Sequence, residues 1–249
     1  IKGANSLGGA VYDNGFNVFA FGAMGKQFND IGMSMANCVR LKFPDLLPEV
    51  IVDVGCTIGH NTLPWKETFS SAEVYGLDLA GPCLQYAHAR AEAMNIKAHF
   101  RQASAQELPF NDESVDILFS SMFLHEMPVK EIRKFMDETF RVLKKGGVMI
   151  HMELPPNDSL SPYDAFYLDW DSYYNNEPFY KTFRDLGYRD LCSTAGFHEK
   201  SFFESVMPRF TYVSEEFFEA AVSADASFDE NTGRLSDGIQ WYGFGSRKD

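Results

Sequence analysis

A short apolar run closing on two glycines restricts this chain more than any other stretch. Val50 to Val54 read VIVDV, continuous except for Asp53, the pattern of a strand buried on both faces of a parallel sheet. Gly55 and Gly59 follow at once, within VDVGCTIGHNT at residues 52–62. Glycine lets the backbone turn sharply and lie against a ligand with no Cβ between them. The free amides opening the next helix then suit an anionic group.

The same rhythm continues down the chain. Val74 to Leu79 (VYGLDL) is a second strand ending in an acid, and the Ala-rich, Gly-free stretch from Pro82 to Met94 is a helix. Ala98–Arg101, Val115–Ser120 and Val148–Met152 read as further strands. Val129–Leu143 is an amphipathic helix closed by Lys144, Lys145, Gly146 and Gly147. This alternation predicts an α/β fold with a doubly wound, mostly parallel sheet. Right-handed crossovers put a ligand at the carboxyl ends of the strands, where the loops after Val54, Leu79 and Ser120 converge. Phe197–Phe203 and Ile239–Ser246 read as two closing strands around an irregular insertion, the last antiparallel, for seven strands in all. Four segments follow: 1–48, an N-terminal helical cap closed off by Pro44 and Pro48; 49–154, the core; 155–195, an aromatic and acidic lid; and 196–249, the closing strands.

Charge narrows the partners. Acidic residues outnumber basic ones 35 to 22, for a net charge of −13, which repels phosphate backbones and anionic membranes. No nucleic-acid or membrane partner is expected. Cys38, Cys56, Cys83 and Cys192 form no C-x-x-C pair, so neither a zinc knot nor a disulfide framework is expected, and a cytoplasmic compartment fits. No apolar run approaches the roughly 20 residues that span a bilayer. The chain opens on Ile1, as a piece of a longer polypeptide would.

VDVGCTIGHNT resembles the first motif of the class I S-adenosylmethionine-dependent methyltransferases, an acid-x-Gly-x-Gly-x-Gly run after the first strand. Asp53, Gly55 and Gly59 stand in place, and Thr57 occupies the middle glycine's position. The dinucleotide fingerprint G-x-G-x-x-G fails at Thr57 and His60. The resemblance implies a Rossmann-like fold and S-adenosylmethionine as cofactor, with S-adenosylhomocysteine as product. It gives Asp78 the ribose hydroxyls, which a carboxylate accepts in bidentate fashion, and Leu79 the adenine face. Residues 103–127, ASAQELPFNDESVDILFSSMFLHEM, resemble the family's D-A-x-x-L-P-F motif and the strand after it, with Ser104 replacing the Asp. Ala105 and Gln106 become adenine-edge contacts. Cys56, Ser120 and Ser121 complete the expected cofactor set. RVLKKGGVMI, residues 141–150, matches the family's next helix-turn-strand, so the resemblance runs from about residue 50 to 152.

His125 and Glu126 fall just past the fourth strand, where the family reaches its acceptor, and are the expected catalytic pair. An imidazole titrating near about 6.5 takes the acceptor's proton, while Glu126 orients a cationic substrate or begins a helix. Met122, Tyr12, Phe16, Tyr163, Tyr167, Trp170, Tyr173 and Tyr174 are the expected acceptor wall, by stacking and cation–π contact; core packing is the alternative for the aromatics. A divalent metal on His125, Glu126, His151 and Glu153 is not favoured, because no ligand spacing compels it, and no metal ligand is assigned. The expected acceptor is a small molecule. A carrier-bound acceptor in a megasynthase and a catalytically inactive S-adenosylmethionine-binding scaffold are the alternatives. An RNA or protein acceptor is disfavoured by charge and by FSSMFLHEM standing where an N-P-P-Y-type tetrapeptide belongs.

Overall fold

The computed structural model describes residues 7–19, 22, 24–224 and 240–249. Seven strands form one sheet in the order β3-β2-β1-β4-β5-β7-β6. They are β1 (Val50–Val54), β2 (Glu73–Asp78), β3 (His99–Gln102), β4 (Val115–Ser121), β5 (Leu143–Glu153), β6 (Phe202–Pro208) and β7 (Gln240–Arg247). The first five pair in parallel, and β7 runs antiparallel between β5 and β6. The expected Rossmann-like, doubly wound sheet with its antiparallel last strand is therefore present.

Side chains alternate across each strand, so one sheet builds two cores. Val52, Leu118, Met149 and Phe244 face one layer. Ile51, Ile117, Phe119 and Ile150 face the other. Helix α5 (Val129–Val142) covers the first face by burying Ile132, Phe135, Met136, Thr139 and Val142, a stripe at three- and four-residue spacing.

The N-terminal 48 residues divide in two. Helix α1 (Gly8–Phe19) packs over α4 (Gly81–Ala93) at the mouth of the site. Helix α2 (Asp30–Lys42) instead belongs to the second core, with Met35, Ala36, Cys38 and Val39 almost fully buried. Its first residue, Asp30, accepts from Trp241 Nε1 at 2.6 Å and from the Thr211 amide at 2.8 Å. A buried carboxylate with these donors pins α2 to β7.

Three boundaries differ from the sequence expectation. Val142 ends α5 and Leu143 already opens β5, paired with Val115; the register shift that follows absorbs the Lys144–Gly147 stretch. Phe197 is not in a strand: it follows α8 (Tyr188–Thr194) and packs edge-on against Phe140 at 5.0 Å. A single 3-10 turn over Glu199–Ser201 then delays β6 to Phe202. The region read as irregular contains α9 (Glu215–Ser223), capped by Ser214, whose hydroxyl accepts from the Phe217 amide. Residue 239, the expected start of the last strand, lies outside the described residues.

Helices α6 (Pro162–Tyr174), α7 (Tyr180–Arg184) and α8 occupy the stretch after β5, and α3 (Leu63–Thr68) follows the glycine turn. No helix among the described residues is long and apolar enough to cross a membrane.

Candidate active site

Where β1 ends, the chain folds back over β2: the amides of Gly55 and Cys56 both donate to Leu77 O, at 2.8 and 3.0 Å. Gly55 has φ 78°, in the left-handed region, and a Cβ there would stand 2.4 Å from the Phe123 ring. Only glycine fits both demands. Thr57, at the middle-glycine position, also takes a left-handed φ of 49°. Its amide donates to Asp78 Oδ2 at 2.9 Å, and the Ala80 amide donates to Asp78 Oδ1 at 2.8 Å. Each oxygen of Asp78 retains acceptor capacity, which suits a pair of vicinal hydroxyls.

A cavity of about 950 Å³ opens at the carboxyl ends of the strands, its lining including Asp53, Leu77, Ser121 and Glu153 from β1, β2, β4 and β5. Its volume sits within the range of small-molecule and cofactor sites. Of the expected cofactor residues, Asp53, Gly55, Cys56, Asp78, Leu79, Ala105, Gln106 and Ser121 line it. Three do not. Gly59 uses its φ of 74° to let the Phe100 ring and Ala87 close in behind the turn. Ser104 spends its hydroxyl on Gln106, donating to Oε1 at 2.7 Å and accepting from the Gln106 amide at 3.2 Å. Ser120 is fully buried, one residue out of phase with Ser121, and its Oγ lies 2.8 Å from His151 Nδ1.

Tyr12, Phe16 and Met122 of the expected acceptor wall line the cavity. The expected aromatics of α6 do not. Tyr163, Trp170, Tyr173 and Tyr174 are exposed, as is Tyr167 at 36%. That helix buries Asp164, Leu168 and Ser172 and turns Asp171 and Asn175 toward the cavity instead. Met122 holds φ 48° as it leaves β4. Left-handed backbone at two non-glycine lining residues, Thr57 and Met122, is strain of the kind that collects at functional sites.

His125 and Glu126 sit in a single 3-10 turn, Leu124–Glu126, after β4, and both line the cavity. Glu153, at the end of β5, reaches His125 Nδ1 with Oε2 at 2.7 Å. Its Oε1 accepts from the amides of Phe123 and Leu124 at 2.7 and 2.6 Å. Burial alone would lower the imidazole's pKa, but the charge and hydrogen bond of Glu153, aided by Glu126 and Glu177, outweigh it and leave it raised. The Tyr180 ring meets His125 edge-on at 4.5 Å.

At the other end burial dominates. It lifts Asp53 to about 7, against the pull of the Thr62 hydroxyl at 2.6 Å. It also pushes the Cys56 thiol well up. His60, packed beside Tyr12 and Phe16, is driven by burial and by the Arg90 charge down to about 4. Asn61 ties the walls together: its Oδ1 accepts from the Gly32 amide at 3.0 Å and its Nδ2 donates to Ser121 Oγ at 3.1 Å. His60, Asn61, Phe123, Glu177, Tyr180 and Trp241 line the cavity without having been expected there; Asp171, from the acidic and aromatic stretch weighed for the acceptor, and Glu153, weighed only as a metal ligand, line it too. The adjacency of His60 and Asn61 to the glycine turn is the one local signal that could have found any of the six unexpected residues.

A parallel sheet with an antiparallel last strand, and a glycine turn facing a carboxylate at the end of β2, define a Rossmann-like domain of the class I methyltransferase type. Residues 51–147 match the family model described as a methyltransferase domain. Residues 51–147 thus carry a methyltransferase domain. The demethylmenaquinone methyltransferase of Thermus thermophilus is 34% identical over 109 residues, 44% of this chain and 49% of that protein. Malonyl-[acyl-carrier protein] O-methyltransferase 1 of Coxiella burnetii is 28% identical over 173 residues, 68% of this chain and 56% of that protein. The chain spans about half the length of the curated relatives it matches. A solved S-adenosylmethionine-dependent methyltransferase from Thermotoga maritima shares the fold, with a TM-score of 0.57 at 20% identity, covering 96% of this chain and 99% of that one.

Proposed function

We propose that this chain transfers the methyl group of S-adenosylmethionine to a small-molecule acceptor. One observation carries the reading: a single cavity is lined by Asp78 and the Gly55–Thr57 turn together with His125, Glu126 and Tyr180. The residues present suit the cofactor. Asp78 offers two acceptor oxygens for the ribose hydroxyls, Leu79 an exposed apolar face at the mouth for adenine, and Ala105 and Gln106 its edge. Bound there, S-adenosylmethionine supplies an electrophilic methyl on a sulfonium.

The chain's own work is to hold the acceptor behind that methyl and keep water out. Tyr12 and Phe16 from α1 and Tyr180 and Trp241 from the far side wall the space with aromatic rings. Glu153 fixes the His125 ring through Nδ1 and so holds the imidazole in place on the cavity wall. Among the described residues, six acidic side chains line the cavity and neither lysine nor arginine does: Asp78, Glu126, Glu153, Asp171 and Glu177, with Asp53 held up to about 7 by burial. That field disfavours phosphate-bearing acceptors, nucleic acid included. Likeness to the demethylmenaquinone enzyme supports a free small acceptor. Likeness to the malonyl-carrier enzyme supports a carrier-tethered one as the second reading.

Calorimetric titration of the metal-free protein with S-adenosylhomocysteine tests the cofactor half. Saturable 1:1 binding is expected, and its absence overturns the proposal. Methyl transfer from labelled cofactor to free acceptors, compared with the same acyl groups on a carrier protein, then separates the two readings.

A further inference from the structure

Glu177 belongs to no motif in the sequence, yet it completes a cluster with two residues that do. One ligand atom each from His125, Glu126 and Glu177 lies within 4.8 Å of the others. They come from two separate pieces of chain, the 3-10 turn after β4 and the loop between α6 and α7. Two carboxylates this close in a partly enclosed cavity repel each other, which favours a cation between them. Among the described residues no lysine or arginine lines this space.

The setting of His125 is a second and independent observation. The residue is 3% exposed, and its Nδ1 is committed to Glu153 Oε2 at 2.7 Å. Glu153 is held in turn by the Phe123 and Leu124 amides. This chain of bonds orients the ring and leaves Nε2 as the nitrogen open to the cluster. A carboxylate behind an imidazole is the arrangement that fixes tautomer and raises basicity in metal-ligating histidines. His151, weighed as a ligand from sequence, is removed from this set because its Nδ1 is bound to Ser120 within the core.

We propose that His125, Glu126 and Glu177 bind one divalent cation at the acceptor end of the cavity, with Glu153 as positioning residue. One imidazole and two carboxylates suit Mn²⁺, Fe²⁺ or Zn²⁺, whereas Mg²⁺ and Ca²⁺ favour all-oxygen sets. Three protein ligands leave coordination positions open, as in sites that bind substrate. An acceptor with two adjacent oxygens, such as a vicinal diol or a hydroxy acid, fills them. The ion lowers the pKa of the bound hydroxyl, whose proton passes to water. The oxyanion then forms the new O–CH₃ bond as the S–CH₃ bond breaks, and its electron pair stays on sulfur as the neutral thioether. This use of the ion rests on the methyl-transfer reading; its binding does not.

The test titrates Mn²⁺ into the full chain and reads the free aquo ion by electron paramagnetic resonance. One bound ion per chain is expected, displaced by Zn²⁺. Glu126→Gln and Glu177→Gln, both on accessible turns, are each expected to weaken binding at least about tenfold while the circular dichroism spectrum and thermal midpoint stay as in the parent. Glu153→Gln is expected to weaken it about 10- to 100-fold. No bound Mn²⁺, or parental affinity in both Glu126→Gln and Glu177→Gln, overturns the proposal. S-adenosylhomocysteine affinity on the same metal-free samples separates the two failures: retained with no ion bound, only the cation site falls; lost as well, the cofactor site falls with it.

Discussion

His125 Nδ1 lies 2.7 Å from Glu153 Oε2, and the second oxygen of that carboxylate holds the two backbone amides that start the turn carrying His125. One buried side chain thereby sets both the backbone and the ring of the residue facing the acceptor. Glu153→Gln replaces a charged acceptor with a neutral amide whose NH₂ must face a donor. Breaking a buried charged pair in this way costs about 3 kcal/mol, to be read from urea unfolding. His125→Ala keeps the carboxylate's amide bonds, so S-adenosylhomocysteine affinity should hold while turnover falls about a hundredfold or more. Equal losses in both readouts would place His125 in cofactor binding.

Asp78 faces the opposite end with both oxygens already oriented by the Thr57 and Ala80 amides. Its remaining lone pairs meet the ribose without rearrangement. Charge-assisted bonds of this kind are worth about 1.5–3 kcal/mol each, so Asp78→Ala should weaken S-adenosylhomocysteine binding at least about a hundredfold by calorimetry. Unchanged affinity would remove the carboxylate from the site.

These two ends were not equally legible. Val50–Val54, Gly55 and Asp78 announce themselves because strand burial, a forced turn and a strand-end acid are local features. Ser104 and Ser120 fit a motif by position, but the hydrogen bond each hydroxyl makes decides its role, and motif spacing does not record that. Helix α6 carries aromatics around much of its circumference, so periodicity could not tell that Asp171 and Asn175 would face inward. Glu153 and Glu177 reach His125 only through tertiary structure, 28 residues away in one case. The missed helix α9 is different: Ser214 followed by Glu215 and Glu216 is a local start signal.

Gly55 is the position where the turn tolerates least. Alanine would combine a left-handed φ with a Cβ 2.4 Å from Phe123, whose amide is clamped by Glu153. Strain and overpacking together cost about 2–4 kcal/mol. Gly55→Ala should show a lower unfolding midpoint and a loss of cofactor affinity. Loss of neither would mean that the ring moves freely and the turn is soft.

Asp13 is a polar tie between helix α1 and α4 beside the cavity. Asp13 accepts from Tyr86 Oη at 2.7 Å and pairs with Arg90 at 3.3 Å, joining α1 to α4 beside the lining residues Tyr12 and Phe16. A partly buried pair with an added hydroxyl bond contributes about 1–2 kcal/mol. Asp13→Ala should therefore raise the dissociation rate of S-adenosylhomocysteine several-fold in stopped-flow experiments, with little change in global stability. An unchanged rate would show that α1 does not gate release.

His60 and Asp53 line one cavity and pull stability in opposite directions with pH. His60 titrates at about 4 in the folded chain because it is buried beside Tyr12 and Phe16 and near the Arg90 charge. The unfolded chain takes up that proton near the ordinary value of about 6.5. Between the two the unfolded state binds more protons, so this contribution is present above about 6.5 and is lost as pH falls toward 4. Asp53 is raised by burial to about 7. The folded chain therefore keeps a proton that the unfolded chain releases near about 3.9, and this contribution is lost as pH rises toward 7. The two offset each other across pH 4 to 6.5. His60→Phe removes the first, so its stability relative to the parent should fall as pH rises from about 4.5 to 6.5. Asp53→Asn removes the second and should show the reverse slope. Each effect is on the order of 1–3 kcal/mol across that window. Urea midpoints at several pH values read both slopes. Parallel curves for the two variants would mean that neither group is buried in the form that dominates in solution.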